Sequence, residues 1–565
     1  MFGNGRALKR HRSTGTSQSN YKPHILDRRE YLKRIAAVTA FLGKQGIAFR
    51  GHNESLESSN KGNFIECMQL LEKFDPFLQK YKPASCATYL SPSSQNEMIQ
   101  STSELIISRI ISEIKEAEMF AIMVDEARDH RSEQLALCVR YVSPQGIVKE
   151  RFLGFSQLDS FDARSIADTI EQQLEKHGLG HLKCVAQFYD GAAVMSRAVS
   201  GVQTRFREKH PEALYIHCHA HELNLVLCAS CKAIPEARDL FNLLECLYSF
   251  FSTSPLHHHK LQEFQRQLGL DIRELVQLST TRWACRVESV KATLQNLPAL
   301  IQAFGSISAP VAKGLESKLC QFSTIYMLVM FDTLLSVTQG LHKYLQKETI
   351  DLVQAMEYKT AVQNTVKSYR CDEKADEIFD KTKTLCDDLE IHSTETKRKK
   401  RKNMDDFIVE TFCGAILTGL QACQPASEHF LEAEALKHLA EHYSIPLKPE
   451  EIVVAKNYLE KKKANSPLRV CFPFWTRICS PLYRPSFKVL TIPVTSCSCE
   501  RSFSALRRLH TWLRNTMGQE RLSNLAIMSI EKEVLQAHVD HEEVIDRFAK
   551  LQPRRFSLTL PPSKH

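Results

Sequence analysis

The chain has 565 residues, of which 43% are hydrophobic and 25% are charged. This is the composition of an ordinary globular protein, and the length accommodates several domains or one large interrupted domain. Lys and Arg outnumber Asp and Glu by 74 to 65, which gives a formal net charge of +9. Such a modest basic excess permits nucleic-acid binding but does not by itself indicate it.

Two further features exclude other classes of protein. The 18 cysteines follow no disulfide-scaffold spacing, and no apolar stretch follows Met1. We therefore expect reduced thiols in a cytosolic or nuclear protein. No apolar run approaches the ~18 residues that a membrane span needs, so we expect no membrane partner.

The N-terminal part of the chain divides into two regions. Residues 1–24 are polar and basic without an apolar period, and we predict that they are disordered. Residues 25–118 carry apolar side chains at helical spacing, which predicts an N-terminal helical region.

Short apolar runs then replace the helical period. They predict three strands, a helix, a strand, a second helix and a last strand, which is the order of an RNase H-like mixed sheet within 119–231. The predicted elements are, in chain order, Phe120–Val124, Leu135–Val142, Phe152–Phe155, Ser165–Leu174, Lys183–Phe188, Ala192–Arg207 and Leu214–His217.

The remainder is predicted to be mostly helical. Residues 232–485 read as an all-helical insertion, interrupted by a charged break at 397–402. Residues 486–540 are predicted to complete the sheet domain with strong helices, and 541–565 to form a tail that is loose from about residue 552. The fold class is thus α/β, with a sheet that a large helical insertion interrupts.

Two acidic residues follow strands that this topology makes parallel neighbours. Asp125 and Asp190 would stand side by side at the carboxyl ends of the first and fourth strands, where open parallel sheets place their chemistry. Facing carboxylates repel each other unless cations lie between them, and Mg²⁺ prefers such ligands. Glu500, at the start of a late helix, is the candidate third acid.

Ordinary structural roles compete with this hypothesis. Asp125 could simply end a strand, Asp190 could belong to an Asp-Gly turn, and Glu500 could be a first-turn glutamate that the helix dipole favours. Spacing alone favours these structural roles.

Five local strings resemble, in order, those of hAT superfamily transposases, and within that superfamily the groups of MYM-type zinc-finger protein 1-like proteins and of the repressor of the inhibitor of the protein kinase. The resemblance spans about 25–534 and includes cellular proteins descended from transposases. The strings are Phe120-Ala-Ile-Met-Val-Asp-Glu-Ala-Arg-Asp129, Gln187-Phe-Tyr-Asp-Gly-Ala-Ala-Val-Met-Ser196, His217-Cys-His-Ala-His221, Thr281-Arg-Trp283, and Pro493-Val-Thr-Ser-Cys-Ser-Cys-Glu-Arg-Ser-Phe-Ser-Ala-Leu506 continued by Gln519-Glu-Arg-Leu522.

The resemblance implies roles for particular positions. It implies that Asp125, Asp190 and Glu500 hold Mg²⁺ or Mn²⁺ for DDE-type DNA strand transfer. It implies that the helical insertion separates the second and third acids, and that a hAT dimerisation segment near the C-terminus makes a homodimer or a higher homo-oligomer. The other implied residues are Trp283 with Arg282 for DNA contact, Cys218 and His221 near the active site, and Phe503, Leu506, Leu509 and Leu513, which we expect to be part core and part dimer interface.

Metal and targeting signals complete the sequence-based expectations. Relatives carry an N-terminal zinc finger, but no such cysteine pattern precedes the sheet domain, so we expect this module to be missing and DNA binding to be weak and non-specific. A zinc site at Cys218, His221, Cys228 and Cys231 is disfavoured, because a helix would separate the pairs by about two turns. A nuclear localisation signal is the better interpretation of the basic run Lys397, Arg398, Lys399, Lys400, Arg401 and Lys402, against a solvated loop.

Two functions remain open. One is a transposase-derived nuclear protein with a metal-dependent strand-transfer core. The other is a domesticated, non-catalytic dimerising protein that acts as a nuclear regulator or scaffold. All three acids are present, which favours the first, whereas the expected lack of a zinc finger favours the second or an incomplete copy of a mobile element.

Overall fold

The computed structural model describes residues 21–54, 57–129, 132–189, 192–217, 235–278, 283–345, 371–391, 490–493, 497–511, 514 and 516–559, and short stretches between 357 and 369. These residues form a mixed α/β fold with a five-stranded sheet. The predicted fold class is confirmed.

The sheet has the strand order β3-β2-β1-β4-β5. Its antiparallel pairs are β1 with β2 and β2 with β3, whereas β4 lies parallel to both β1 and β5. The first and fourth strands are therefore parallel neighbours, as predicted. The strands are Met119–Asp129 (β1), Ser132–Val142 (β2), Val148–Leu158 (β3), Lys183–Tyr189 (β4) and Leu214–His217 (β5).

Helices precede the sheet. They are Tyr21–Gln45 (α1), Asn63–Phe74 (α2), Pro76–Lys80 (α3) and Pro92–Ala117 (α4). The helical region thus begins at Tyr21, four residues before the predicted boundary. Helix α4 starts with Pro92, at a position where a backbone N–H would have no acceptor within the helix, so proline removes no hydrogen bond there. The Ser91 side chain caps the helix by accepting a hydrogen bond from the Ser94 N–H.

Helices α5 (Ala163–Lys176), α6 (Ala193–Ser196) and α7 (Val202–Lys209) connect the later strands. The single helix predicted over Ala192–Arg207 was wrong, because the chain turns between α6 and α7. The turn closes tightly at Gly201, where an added Cβ would lie 2.5 Å from the carbonyl oxygen of Arg197.

The described residues between 235 and 391 contain helices and no strand. They have a hydrophobic cluster of their own, separate from the one around the sheet. In the described part of the chain no single helix is long and apolar enough to cross a membrane. The helix Pro310–Leu319 and the segment Phe322–Val337, which meet at an angle of 63°, reach that length and apolar composition only as a pair. The helices are Pro235–Ser252 (α8), Pro255–Gln267 (α9), Trp283–Gly305 (α10), Pro310–Leu319 (α11), Phe322–Leu345 (α12) and Asp372–Asp388 (α13).

The C-terminal part returns to the sheet domain with Cys497–Leu509 (α14), Gln519–Ile530 (α15), Lys532–His538 (α16) and His541–Leu551 (α17). Residues 541–551 of the predicted tail form helix α17, whereas the described residues 552–559, within the stretch predicted to be loose, contain no helix or strand. Helix α17 packs on α1 and α4. It buries Val544, Ile545 and Phe548, and its Glu542 pairs with Arg29 of α1.

Helix α15 covers the outer edge of β3. The Phe155 N–H donates to the Ser523 hydroxyl at 3.1 Å, and the Phe152 N–H donates to the Glu531 carboxylate at 2.7 Å. Gly154 lies at this contact with φ 152°, and an added Cβ would lie 2.9 Å from the Ser523 oxygen. Because side chains satisfy these edge groups, β3 is protected from pairing with a strand of another chain.

Candidate functional site

Asp125 lies within β1, opposite Ala136 of β2, and not at the end of the strand. The expected end position was wrong, because β1 continues to Asp129. The parallel pairing with β4, however, extends only as far as Met123 opposite Phe188, two residues before Asp125. The carboxylate is therefore half-buried where the central parallel pair runs out, and it accepts a hydrogen bond from the Glu126 N–H at 3.0 Å.

Helix α14 packs on the face of the sheet that carries Asp125. Residues paired across neighbouring strands share a face, and Asp125 pairs with Ala136, which pairs with Phe155. The Phe155 ring stacks on Phe503 of α14 at a centroid distance of 5.9 Å. Asp125 and the helix that carries Glu500 therefore lie on the same side of the sheet.

Cys499 fixes the first turn of α14 beside Asp125. Its thiol is buried and donates to the Met123 carbonyl oxygen at 3.4 Å. Burial first, then the Cys138 thiol and the charge of Asp125, raise the pKa of Cys499 well above its ordinary value. Glu500, the next residue, has an exposed side chain at the border of this packed face.

A buried ion-pair network holds the same turn of α14. The Arg140 side chain of β2 is 1% exposed and contacts the Glu150 carboxylate of β3 at 2.9 Å. It also donates to the Leu490 carbonyl oxygen at 3.0 Å. Glu150 in turn accepts from the Ser498 hydroxyl and lies 3.5 Å from Arg501. Strands β2 and β3 therefore position the residues on both sides of Glu500.

The far end of α14 is tied to the end of β1. The His510 ring forms a hydrogen bond with the Asp129 carboxylate, and both side chains are almost fully buried. Asp129 is four residues beyond Asp125 and on the same face of the strand. The helix is therefore fixed to β1 at both of its ends.

Several predicted site residues lie outside the described part of the chain. Asp190, which follows the last residue of β4, is one of them. Trp283, by contrast, is within the described part as the first residue of α10. The others outside are Cys218, His221, Cys228, Cys231, Arg282, Leu513 and the basic run Lys397–Lys402. Over the described ranges, no group of three or more His, Cys, Asp or Glu side chains is arranged to hold a metal.

The residues expected at a dimer interface contribute to the core of a single chain. Phe503, Leu506 and Leu509 are 5%, 2% and 1% exposed and belong to the cluster around the sheet. Because a single chain already buries these three side chains, we expect them to affect a dimer interface by holding α14 in place and not by contacting a second copy.

A cleft of about 1390 Å³ opens between α4, β3, α5 and α15. Its lining includes the polar residues Ser103, Gln157 and Gln173 and neither Asp125 nor Glu500. The candidate site is therefore not this cleft but the surface where α14 meets β1.

Sequence reasoning missed the residues that position the site. Arg140 had a signal, because a lone charge in the apolar strand Leu135–Val142 must be paired if it is buried. Glu150, Cys499 and His510 had no comparable signal, since their partners are distant in sequence.

Comparisons with known proteins agree with this architecture. Residues 7–201 match the family model described as the ZMYM1/FAM200 RNase-like domain, and residues 479–534 match the hAT family C-terminal dimerisation region.

The chain is also similar to the 52 kDa repressor of the inhibitor of the protein kinase from Homo sapiens, at 23% identity over 604 residues, which cover 94% of this chain and 78% of that protein. The Mus musculus protein of the same name is 24% identical over 603 residues, with the same coverage. The two matched regions and these relatives confirm the predicted resemblance to hAT transposase-like proteins: the chain has an RNase-like region followed by a hAT-type C-terminal dimerisation region.

Proposed function

We propose that the chain is a dimeric, metal-dependent DNA-processing protein whose acids are Asp125, Asp190 and Glu500. One observation supports this most strongly. Helix α14 carries Glu500 to the face of the sheet that holds Asp125, although 375 residues (500 − 125) separate them in sequence.

The strand register supports the inclusion of Asp190. Met123 lies opposite Phe188 in the parallel pair. Two residues further along each strand are Asp125 and Asp190, which would be neighbours if the register continued. The proposed site therefore combines Asp125, which lies in β1 just beyond the last residue paired with β4, and Asp190, which follows β4, with one acid from α14.

The chemistry of these donors fits a divalent cation. Carboxylate oxygens are the ligands that Mg²⁺ and Mn²⁺ prefer, whereas zinc sites usually contain Cys or His. A bound cation would polarise the phosphodiester and lower the pKa of the attacking water. Asp125 would hold it from a fixed strand, and Glu500 from a helix that Arg140, Glu150 and Cys499 position.

The substrate that this chemistry fits is the sugar–phosphate backbone of DNA. A net charge of +9 supports contacts to phosphates, which position a protein without reading sequence. We therefore propose weak, non-specific binding through the described surface. Trp283, with Arg282 before it, would stack on a displaced base at the start of α10. Cys218 and His221 would lie near the proposed acids.

The hAT dimerisation region supports a homodimer or a higher homo-oligomer. Because α15 within this region covers β3 and packs on α1 and α4, assembly would depend on an intact sheet domain.

The nucleus is the proposed location, with Lys397–Lys402 as its import signal. A fluorescent fusion in which all six residues are Ala should lose nuclear accumulation; unchanged accumulation would contradict this assignment.

A non-catalytic nuclear regulator is the second candidate. It is favoured by the name of the two relatives, which describes a repressor. In this case the fold would serve for dimerisation and partner binding, and substitution of the acids would leave function unchanged.

A cleavage assay separates the two candidates. The full chain is incubated with labelled duplex DNA and Mn²⁺, beside the Asp125→Asn and Glu500→Gln variants. We expect each variant to lose at least about a hundredfold in rate, as removal of a preorganised charge at a reacting centre does. Glu520→Gln, an exposed acid of α15, is the matched control. Equal rates for Glu500→Gln and wild type, or no cleavage by the folded wild-type chain, would contradict the proposal.

A further inference from the structure

Three arginines from two distant parts of the chain meet beside the C-terminal region. Arg50 lies five residues after α1, Arg514 lies between α14 and α15, and Arg521 lies in the first turn of α15. Arg50 is exposed, and the other two are half-buried. We call this group the arginine cluster.

Two members of the arginine cluster converge on one amide oxygen. Arg50 donates from Nη2 to the Asn96 side-chain oxygen at 3.0 Å and to the Pro92 carbonyl oxygen at 2.9 Å. Arg521 donates from Nη1 to the same Asn96 oxygen. Each guanidinium has five N–H donors, so donors remain for another acceptor at this point.

The positive charges are not neutralised by direct ion pairs. In the portion of the chain that the structure describes, no carboxylate lies within ion-pair distance of Arg50, Arg514 or Arg521. Burial first, then the charges of Arg50 and Arg514, lower the pKa of Arg521 to about 10, and Glu54 partly opposes this. The fold therefore holds like charges together at a cost that a bound anion would offset.

The cluster is also held rigidly. The Arg521 guanidinium lies over the Phe49 ring at 5.3 Å, and Arg514 donates to the Gly46 carbonyl oxygen at 3.0 Å. The loop after Arg50 is tightly packed, since a Cβ added at Gly51 would lie 2.4 Å from the Asn60 carbonyl oxygen. Donors fixed in this way lose little entropy on binding.

The arginine cluster lies beyond the C-terminal end of α14, the helix whose first turn carries the proposed acid Glu500. Arg514 follows His510, which is bonded to Asp129 at the end of β1. Four strand residues place that end ~13 Å beyond Asp125. Between these points, the exposed face of α14 carries Glu500 and, about two turns later, Arg507 and Arg508.

We propose that Arg50, Arg514 and Arg521 form a phosphate-binding site for the DNA backbone that flanks the proposed acids. The ligand class rests on the proposed function, because a DNA substrate at Asp125 and Glu500 would extend along α14. Arginine suits this role, since its planar fork donates two parallel hydrogen bonds to a phosphate.

The test is DNA binding by the full chain without catalysis. A labelled duplex of mixed sequence is titrated in EDTA at several salt concentrations, and anisotropy gives the affinity. We expect the Arg50→Gln/Arg521→Gln double variant to bind DNA about tenfold more weakly at low salt. We also expect its salt slope to fall by about 0.9 for each phosphate that the variant no longer neutralises. The single variant Arg50→Gln, at an exposed position, should show part of this weakening without a change in thermal unfolding.

Two further variants sharpen the assignment. Arg521→Lys keeps the charge but not the fork, and should lie between wild type and the double variant. The matched control is Arg266→Gln, an exposed arginine of α9 that donates a hydrogen bond to Gln262 on the same helix. It should bind DNA like wild type.

The outcomes separate this inference from the proposed function, because EDTA removes cleavage from the assay. Weakened binding in the cluster variants supports the site even if the chain cuts no DNA. Wild-type affinity and salt slope in the double variant would overturn it even if cleavage depends on Asp125. Absence of DNA binding by the wild-type chain would also overturn it. Inorganic phosphate should displace DNA from the wild-type chain more effectively than chloride at equal ionic strength, because it competes for the same guanidinium donors. Equal displacement by the two anions would contradict a phosphate site.

Discussion

The Cys499 thiol donates a hydrogen bond to the Met123 carbonyl oxygen at 3.4 Å, although the two residues are 376 positions apart. This contact joins the hAT dimerisation region to the central strand of the sheet, two residues before Asp125. The first turn of α14, which carries the proposed third acid, therefore cannot move without disturbing a buried contact of the core. The dimerisation region is thus a structural part of the RNase-like domain.

This relationship predicts a pattern of thiol reactivity. The thiolate is the reactive form, and burial raises the pKa of Cys184 to about 12 and that of Cys499 well above its ordinary value. In the native chain, Cys138, Cys184 and Cys499 should resist iodoacetamide, while the exposed Cys86 and Cys246 react. Mass spectrometry of a labelling time course measures this. Labelling of Cys499 as fast as Cys86 would show that α14 does not stay on the sheet.

The Glu150 carboxylate should be important for both stability and site geometry. Glu150→Ala should lower the free energy of unfolding by about 3 kcal/mol or more, because the buried Arg140 charge would be left without this partner. It should also slow metal-dependent cleavage, because Ser498 and Arg501 would no longer be held. Urea denaturation and the cleavage assay measure the two effects. Glu533→Ala, at a side chain that is 87% exposed, should change stability by less than about 1 kcal/mol. Equal stability of the two variants would contradict the role of Glu150.

Glu531 should make stability depend on pH. Burial raises its pKa from 4.5 to about 7, against the opposing effect of Arg151. Between these values the folded chain binds more protons than the unfolded chain, so this group's contribution to stability is present below about pH 4.5 and is lost as pH rises through about 7. A pKa difference of about 2.5 corresponds to on the order of 3 kcal/mol.

The matched comparison uses Glu531→Gln and Glu533→Gln. Denaturation curves at several pH values between about 4 and 8 should show that the first variant loses this pH-dependent component and the second keeps it. A parallel pH dependence in wild type and Glu531→Gln would contradict the assignment.

Much of the sheet could be predicted, because its central strands are mostly apolar and successive residues of β1 over Met119–Val124 are buried on both faces. The second half of β1 could not, since its polar residues pair with β2 alone and show no apolar period. The helix over His541–Leu551 had a signal in the spacing of Val544, Ile545 and Phe548, which the domain boundary placed at residue 541 overlooked.

The candidate site was less predictable from the sequence than the sheet. The acids were found through local strings that resemble a family, because spacing alone did not separate them from turns and helix starts. The groups that hold Glu500 in place could not be found in this way. Glu150 and Ser498 are 348 residues apart and meet through the tertiary fold.

Binding of Mn²⁺ to the folded full chain tests the central claim most directly, because it asks whether distant acids share one metal site. Titration calorimetry compares wild type with Asp125→Asn, Glu500→Gln and the double variant, and Glu520→Gln serves as the control. If the acids share an ion, each single variant should weaken binding at least about tenfold, and the double variant should lose less than the sum of the two losses in binding free energy. Strictly additive losses, or wild-type affinity in Glu500→Gln, would contradict a shared site.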